Sequence, residues 1–378
     1  MHDRGEFIQG TTRTWLRISQ SVTAAVAYLR HHLAPTGRFD YIYYAGTNQI
    51  SQNYNLIRHA GTVMMLYRLV GTRFDDGVLE QHIDRAWAYL AQSLMFFEVG
   101  GVPSACIVEA GVARLGCTAL TLLALAAKLG RFSARDRNAV SLLTQLARYL
   151  TSQQKDNGRF VSKSVFVSGS EIPFDSQYYP GEAILALCAA FRITGDLTFF
   201  KVATVGAQYL MGRYDRGVSS AIDVTDHWLM IALDQLHALD RRTMWVQHLR
   251  RLSQPLLPND ARSLSGDTDP VLWLDNATTT QIATRAEGLL GALRVEIRLH
   301  EKNRANALGQ TILTAISRCL ERQIDSGGIP SFSPGATGGI VQSVGQSSIR
   351  IDYVQHVLGA CLGSLESLAG LDLSQRPS

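Results

Sequence analysis

The feature that most constrains this chain is an alternation of helices. Helical periodicity recurs at roughly 12–33, 54–71, 78–97, 113–130, 135–154, 179–194, 197–213, 226–239, 240–257, 277–299, 302–324 and 350–369. Odd members are amphipathic with charged faces, as in Glu80-Gln81-His82-Ile83-Asp84-Arg85-Ala86. Even members are poor in charge and rich in Gly, Ala and Leu, as in Leu115-Gly116-Cys117-Thr118-Ala119-Leu120. A helix that is apolar all round has to be buried on every side. The links alternate as well. Odd-to-even links are long (34–53, 98–112, 155–178, 214–225, 258–276 and 325–349), whereas even-to-odd links such as Gly195-Asp196 are short. Short links make antiparallel hairpins, and long ones gather at one end as an elaborated face. The pattern therefore predicts six helical hairpins closed into a ring, with the even helices as an inner barrel. An open solenoid is the rival, but solenoids rarely carry long ornaments at one end of nearly every repeat.

The long links share a signature. Gly37-Arg38-Phe39, Gly100-Gly101-Val102-Pro103-Ser104, Asp156-Asn157-Gly158-Arg159-Phe160 and Gly327-Gly328-Ile329-Pro330-Ser331-Phe332 each put glycine before a short β-prone piece. Glycine supplies positive φ there, and the following side chain anchors the loop on the barrel rim. A length of 378 residues would ordinarily suggest two or three domains at ~150 residues each. The recurring loops argue instead for one domain, 1–378, which could be a piece of a longer chain.

Composition narrows the class. With 46% apolar residues there is ample material for a core, which excludes disorder and fibre. Lys and Arg number 36 against 32 Asp and Glu, a mixed surface with no call for nucleic acid. Of the five cysteines, Cys117, Cys188, Cys319 and Cys361 lie in apolar helical runs and Cys106 in a link, with no CxxC, so buried thiols are expected. The first fifteen residues lack the pattern of a signal peptide, and 117–127 is too short to span a bilayer, so the expected location is cytoplasmic. Oligomeric state is not readable.

The twelve-helix rhythm, the Asp-x-Gly-x-Phe loop, and Tyr178-Tyr179-Pro180-Gly181-Glu182-Ala183 followed by Ile184-Leu185-Ala186-Leu187 resemble the (α/α)6-toroid enzymes. These include six-hairpin glycosidase-like proteins and uronate epimerases and lyases on similar barrels. The resemblance implies an all-α (α/α)6 toroid with short β-hairpins in the long loops at one end. Terpene cyclases and prenyltransferases share the toroid, but the chain has no Asp-x-Asp-Asp motif and no Asp/Cys/His zinc set.

In such a ring, the first turns of the even helices face the cavity at the elaborated end, where free amides and dipoles suit anionic ligands. Those turns carry polar clusters. Tyr54, Arg58 and His59 open one even helix, Tyr54 and Arg58 one turn apart and His59 either a cavity group or a satisfied core histidine. Tyr178, Tyr179 and Glu182 open another, and capping alone is the simpler account of Pro180 and Glu182. Before the next, Thr225 is expected to cap, with Asp226 on the dipole and His227 and Trp228 as an acid with a sugar platform. Arg285 and Glu287 lie two turns inside a further helix, where a structural ion pair competes with a binding role. Arg350, Asp352, Tyr353 and His356 form the last cluster, with Asp352 placed to orient His356. Asn48, Gln49, Glu109 and Lys163 are weaker candidates.

No Walker loop, GxGxxG, GxSxG or HExxH occurs, so no cofactor and no metal is expected. The first reading is glycoside hydrolysis of an oligo- or polysaccharide, with Glu182 and Asp226 as the carboxylate pair. Next comes a uronate C5-epimerase or lyase, with Tyr178 or Tyr179 and His59 or His227 as acid and base and Arg58 and Arg350 neutralising the substrate carboxylate. A non-catalytic toroid that binds a saccharide or partner protein is the third.

Overall fold

The computed structural model describes residues 2–131, 136–215, 226–258, 272–274, 276–325 and 332–368. Twelve α-helices lie among them: α1 (His2–His31), α2 (Leu56–Tyr67), α3 (Leu79–Ala91), α4 (Leu115–Arg131), α5 (Arg137–Ser152) and α6 (Tyr179–Thr194), followed by α7 (Leu197–Asp215), α8 (His227–Asp240), α9 (Thr243–Ser253), α10 (Thr279–Arg298), α11 (Lys302–Leu320) and α12 (Ile351–Ser367). The even helices contact one another in order, α2 on α4, α4 on α6, α6 on α8, α8 on α10 and α10 on α12, and α12 returns to α2. That last contact closes the ring and removes the open solenoid. The odd helices pack outside: α5 against α4 and α6, α9 against α8 and α10, and α1 against α12. The fold is the expected (α/α)6 toroid.

Local chemistry starts these helices where the sequence reading puts them. At α6 the Ser176 hydroxyl accepts from the amides of Tyr178 and Tyr179, both at 3.2 Å, and Gly195 ends the helix with φ 73°. Pro180 is the second helical residue rather than the first, and Glu182 makes no capping contact. Asp226 itself caps α8 by accepting from the Leu229 amide at 3.0 Å, and Thr225 lies outside the described residues. Thr278 and Gln281 form a reciprocal capping box on α10.

Glycines in the inner helices have a spatial purpose. A Cβ on Gly181 of α6 would lie 2.8 Å from the Leu229 nitrogen of α8, and one on Gly291 of α10 would lie 3.0 Å from the Met230 carbonyl oxygen. The inner backbones thus approach so closely that any side chain at these positions would collide. This is why the even helices are rich in small residues.

The short strands all belong to the long links. They are β1 (Ile42–Tyr44), β2 (Gln49–Ile50), β3 (Leu94–Val99), β4 (Val102–Glu109), β5 (Val112–Arg114), β6 (Lys163–Val165) and β7 (Ser348–Arg350). Two antiparallel sheets result, ordered β2-β1-β7 and β3-β4-β5-β6. Residues 92–97, expected to continue the third helix, turn into β3 instead. Gly100 and Gly101 both hold positive φ in a two-residue hairpin turn, and pairing Leu94–Val99 with Val102–Ile107 outweighs one more helical turn. Cys106, expected in a link, lies in β4, and all five cysteines are buried free thiols.

Three of the glycine turns are one repeated device. Gly37, Gly158 and Gly338 have φ between 84° and 90° and press on the backbone oxygens of Arg85, Val205 and Ala24. Each turn after an odd helix therefore rests on the next odd helix round the ring. After α11 the turn falls at Gly338; the expected one at Gly327–Gly328 lies outside the described residues.

Candidate active site

Because all six inner helices start at the same end, their first turns surround one axial recess. Exposure falls along it. Tyr178 is 43% exposed at the mouth, the side chains of His356 and Glu287 are 12% and 11% exposed, and His227 is 4% exposed at the bottom.

His227 is the first residue of α8, and both its ring nitrogens lack a hydrogen-bond partner among the described residues. Its ring lies 5.6 Å from that of His356 at an interplanar angle of 80°, and 5.6 Å from that of Tyr178. Burial, reinforced by His356, holds its pKa far below the ordinary range, so it is a neutral imidazole. The Nδ1 of His356 is 2.7 Å from Oε2 of Glu287 on α10. A carboxylate only accepts, so Nδ1 carries the proton and Nε2 keeps a lone pair. Glu287 fits there because residue 359 of α12 is glycine; a Cβ at that position would stand 1.9 Å from Oε1. His227, Glu287 and His356 also offer ligand atoms within 4.8 Å of one another, the residue types that could hold a divalent cation. The short Glu287–His356 bond already engages one such atom on each of those residues, which is the arrangement of an oriented base.

The expected partner of His356 is otherwise engaged. Asp352 takes Arg350 through bonds of 2.5 and 2.9 Å and Arg58 at 3.1 Å, so it bridges two arginines. Nor do Arg285 and Glu287 pair with each other. Arg285 donates to the Trp273 carbonyl at 3.4 Å and lies over that indole.

On the next arc stand Tyr179 and Glu182 of α6. Both fill the space left by Gly116 of α4, where a Cβ would come within 2.3 Å of Glu182 Oε2. Glu182 is 4% exposed and its Oε2 has no partner among the described residues; burial, and then the charge of Asp226, push its pKa up to about 8. Asp226 is fully buried beneath the helix start, raised to about 7 by burial.

Four expected site residues sit elsewhere. His59 turns outward to α3: Nδ1 is 2.7 Å from the Tyr54 hydroxyl and Nε2 is 2.8 Å from the Ala86 carbonyl oxygen. It is a satisfied core histidine, held neutral by burial with a pKa of about 4, and it takes Tyr54 with it. Trp228 is 6% exposed, with its ring packed 5.0 Å from that of His227, so it offers no open face as a sugar platform. Asp226, with its cap bond, lines the helix start rather than the recess. The exposed aromatic faces at the mouth are Tyr178 and Phe174. Arg114 was not singled out, although it immediately precedes an inner helix as Arg350 does. It pairs with Glu109 at 2.7 Å.

No protein-family model matches the sequence, and no curated protein does. Solved structures match nearly end to end. A D-mannose isomerase aligns with a TM-score of 0.62 at 13% identity, over 94% of this chain and 97% of that one. A cellobiose 2-epimerase from Spirochaeta thermophila DSM 6192 aligns with a TM-score of 0.62 at 15% identity, over 95% and 97%. An α-1,6-mannanase from Salegentibacter sp. HEL1_6 gives 0.62 at 10% identity, over 93% and 99%. None of the described helices is long and apolar enough to cross a membrane. By its twelve-helix ring and by these neighbours, the chain is one of the (α/α)6-toroid proteins, a fold shared by carbohydrate-processing enzymes.

Proposed function

We propose that the protein is a carbohydrate-active enzyme that moves a proton at the carbon beside the carbonyl of a reducing sugar, as an aldose–ketose isomerase or a 2-epimerase. The observation that carries this is the pair of imidazoles, His227 and His356, set edge to face at 5.6 Å between ring centres in the recess, with Glu287 behind one of them. Nε2 of His356 takes the C2 proton of the open-chain sugar, and the imidazolium that forms is stabilised by the Glu287 carboxylate. Electrons of the C–H bond move into the C1 carbonyl, giving an enediolate. Return of the proton to C1, with transfer of the O2 proton to O1, gives the ketose. Return of the same proton to the opposite face of C2, once the enediolate has turned in the recess with the neutral His227 ring donating an N–H to its oxygen, gives the epimer. Tyr178, exposed above His227, stacks on the sugar. A D-mannose isomerase and a cellobiose 2-epimerase among the similar structures agree with this class.

The test is incubation with D-mannose or cellobiose in deuterated water. Deuterium at C1 or C2 with a ketose or epimer product supports the reading, and an unlabelled, unchanged sugar with both substrates sinks it. Glycoside hydrolysis is the second reading. Glu182, raised to about 8, would hold the proton that a general acid needs, whereas Asp226 caps α8 outside the recess and supplies no base to it. Release of new reducing ends from a mannan oligosaccharide would favour it. A uronate lyase would instead leave a product double bond.

A further inference from the structure

We propose that residues around Tyr179 form a second subsite, which binds an anionic substituent of the sugar, a carboxylate or a phosphate, remote from the reacting carbon. This rests on the reading of the recess as a sugar site. Consecutive residues on a helix diverge by about 100°, so Tyr178 and Tyr179 serve different arcs of the ring. Tyr178 lies on His227, and Tyr179 lies on Gly116 of α4.

Cations gather on the Tyr179 side. Arg114 and Lys163 are directly opposed across the β5–β6 pair, hence on one face. Like charges so placed repel, and the repulsion, after burial, lowers the Lys163 pKa. Among the described residues Lys163 meets no carboxylate. Its Nζ lies 3.4 Å from the centre of the Phe174 ring, which in turn lies 6.0 Å from Tyr179. Burial, and then the charge of Glu182, push the Tyr179 pKa up to about 12, with Arg114 and, more weakly, Arg58 of α2 acting against that rise. Asp352 is shared between Arg58 and Arg350, so those two are only partly neutralised, whereas Arg114 has Glu109 to itself and Lys163 is left as the uncompensated cation of the strand pair. An anion between Arg114 and Lys163 would relieve a repulsion that the sheet otherwise bears.

Calorimetry on the full chain tests this with D-mannose, D-mannuronate and D-mannose 6-phosphate, repeated with inorganic phosphate as competitor. One anionic sugar should bind at least about tenfold more tightly than D-mannose, and the advantage should shrink as salt rises. Lys163→Met should cut that affinity ratio to below about threefold, and Lys163→Arg should keep most of it. Which sugar wins tells carboxylate from phosphate. Equal affinities, a ratio that survives Lys163→Met, or no binding of any of the three overturns the proposal. Deuterium exchange at C2 is read separately. An anion preference without exchange removes the proton-transfer reading and leaves this subsite, whereas exchange without preference does the reverse.

Discussion

Two histidines on inner helices begin alike and end with opposite tasks. His59 on α2 and His356 on α12 each bond through Nδ1 at 2.7 Å, the first to the Tyr54 hydroxyl and the second to the Glu287 carboxylate. His59 has its other nitrogen on a backbone carbonyl oxygen and no exposure, so all its hydrogen-bonding capacity is used in joining α2 to α3. His356 keeps Nε2 toward the recess and a partner that stabilises its charged form. A histidine between two neutral partners is a structural pin; one between a carboxylate and open space is a base.

The sharpest way to break that contrast is to exchange the losses. His356→Gln or His227→Gln should reduce turnover by about 10²–10⁴-fold while the thermal midpoint moves little, measured by initial rates and calorimetry on the same samples. His59→Gln should do the reverse. It should cost about 2–3 kcal/mol in denaturant unfolding, because a Tyr54 hydroxyl and a carbonyl oxygen lose well-aligned partners, yet leave the rate per folded molecule intact.

Acidity adds a second axis. The folded pKa of His59 is about 4 against an ordinary 6.5, so the unfolded chain binds more protons between those values. Its contribution is intact above about pH 6.5 and is lost as pH falls toward 4. Glu182 acts in the opposite sense. With a folded pKa near 8 against 4.5, it contributes fully below pH 4.5 and loses that contribution as pH rises through 8. Glu182→Gln should therefore stabilise the protein at pH 9, on the order of 2 kcal/mol, and have little effect at pH 5. A variant that is no more stable than the parent at pH 9 would mean that Glu182 is paired or hydrated. Gly359→Ala is the gentlest probe. Its methyl group displaces a flexible carboxylate from His356 while favouring helix by about 0.5–1 kcal/mol, so activity should fall about tenfold with stability unchanged or higher.

Much of this was legible. The helix at 179–194 matches to the residue, because Ser176, Pro180 and Gly195 punctuate it locally. So were the ring and the elaborated end, since they follow from alternation in charge and link length. Partner choice was not. Glu287 and His356 are 69 positions apart, and only the packing of α10 on α12 brings them together, whereas Asp352 looked right on spacing within one helix. Arg58 and His59 are neighbours in sequence yet meet different helices, Arg58 reaching Asp352 of α12 and His59 Ala86 of α3, and helical periodicity without known neighbours cannot say which side is inner. The β3 segment was missed because Leu94–Phe97 is apolar enough for either state, and its hairpin partner decided.

The pairing of β1 with β7 has a bearing on synthesis. Tyr43 meets Ile349 across the seam, so a strand made among the first fifty residues waits for one made near the end. Until α12 emerges, α2 has an apolar flank facing water, and the wall that bears Glu287 has no His356 to hold. Closure is thus a late event of high contact order, slow to reach and exposed to aggregation on the way. Chaperone dependence should track the emergence of α12.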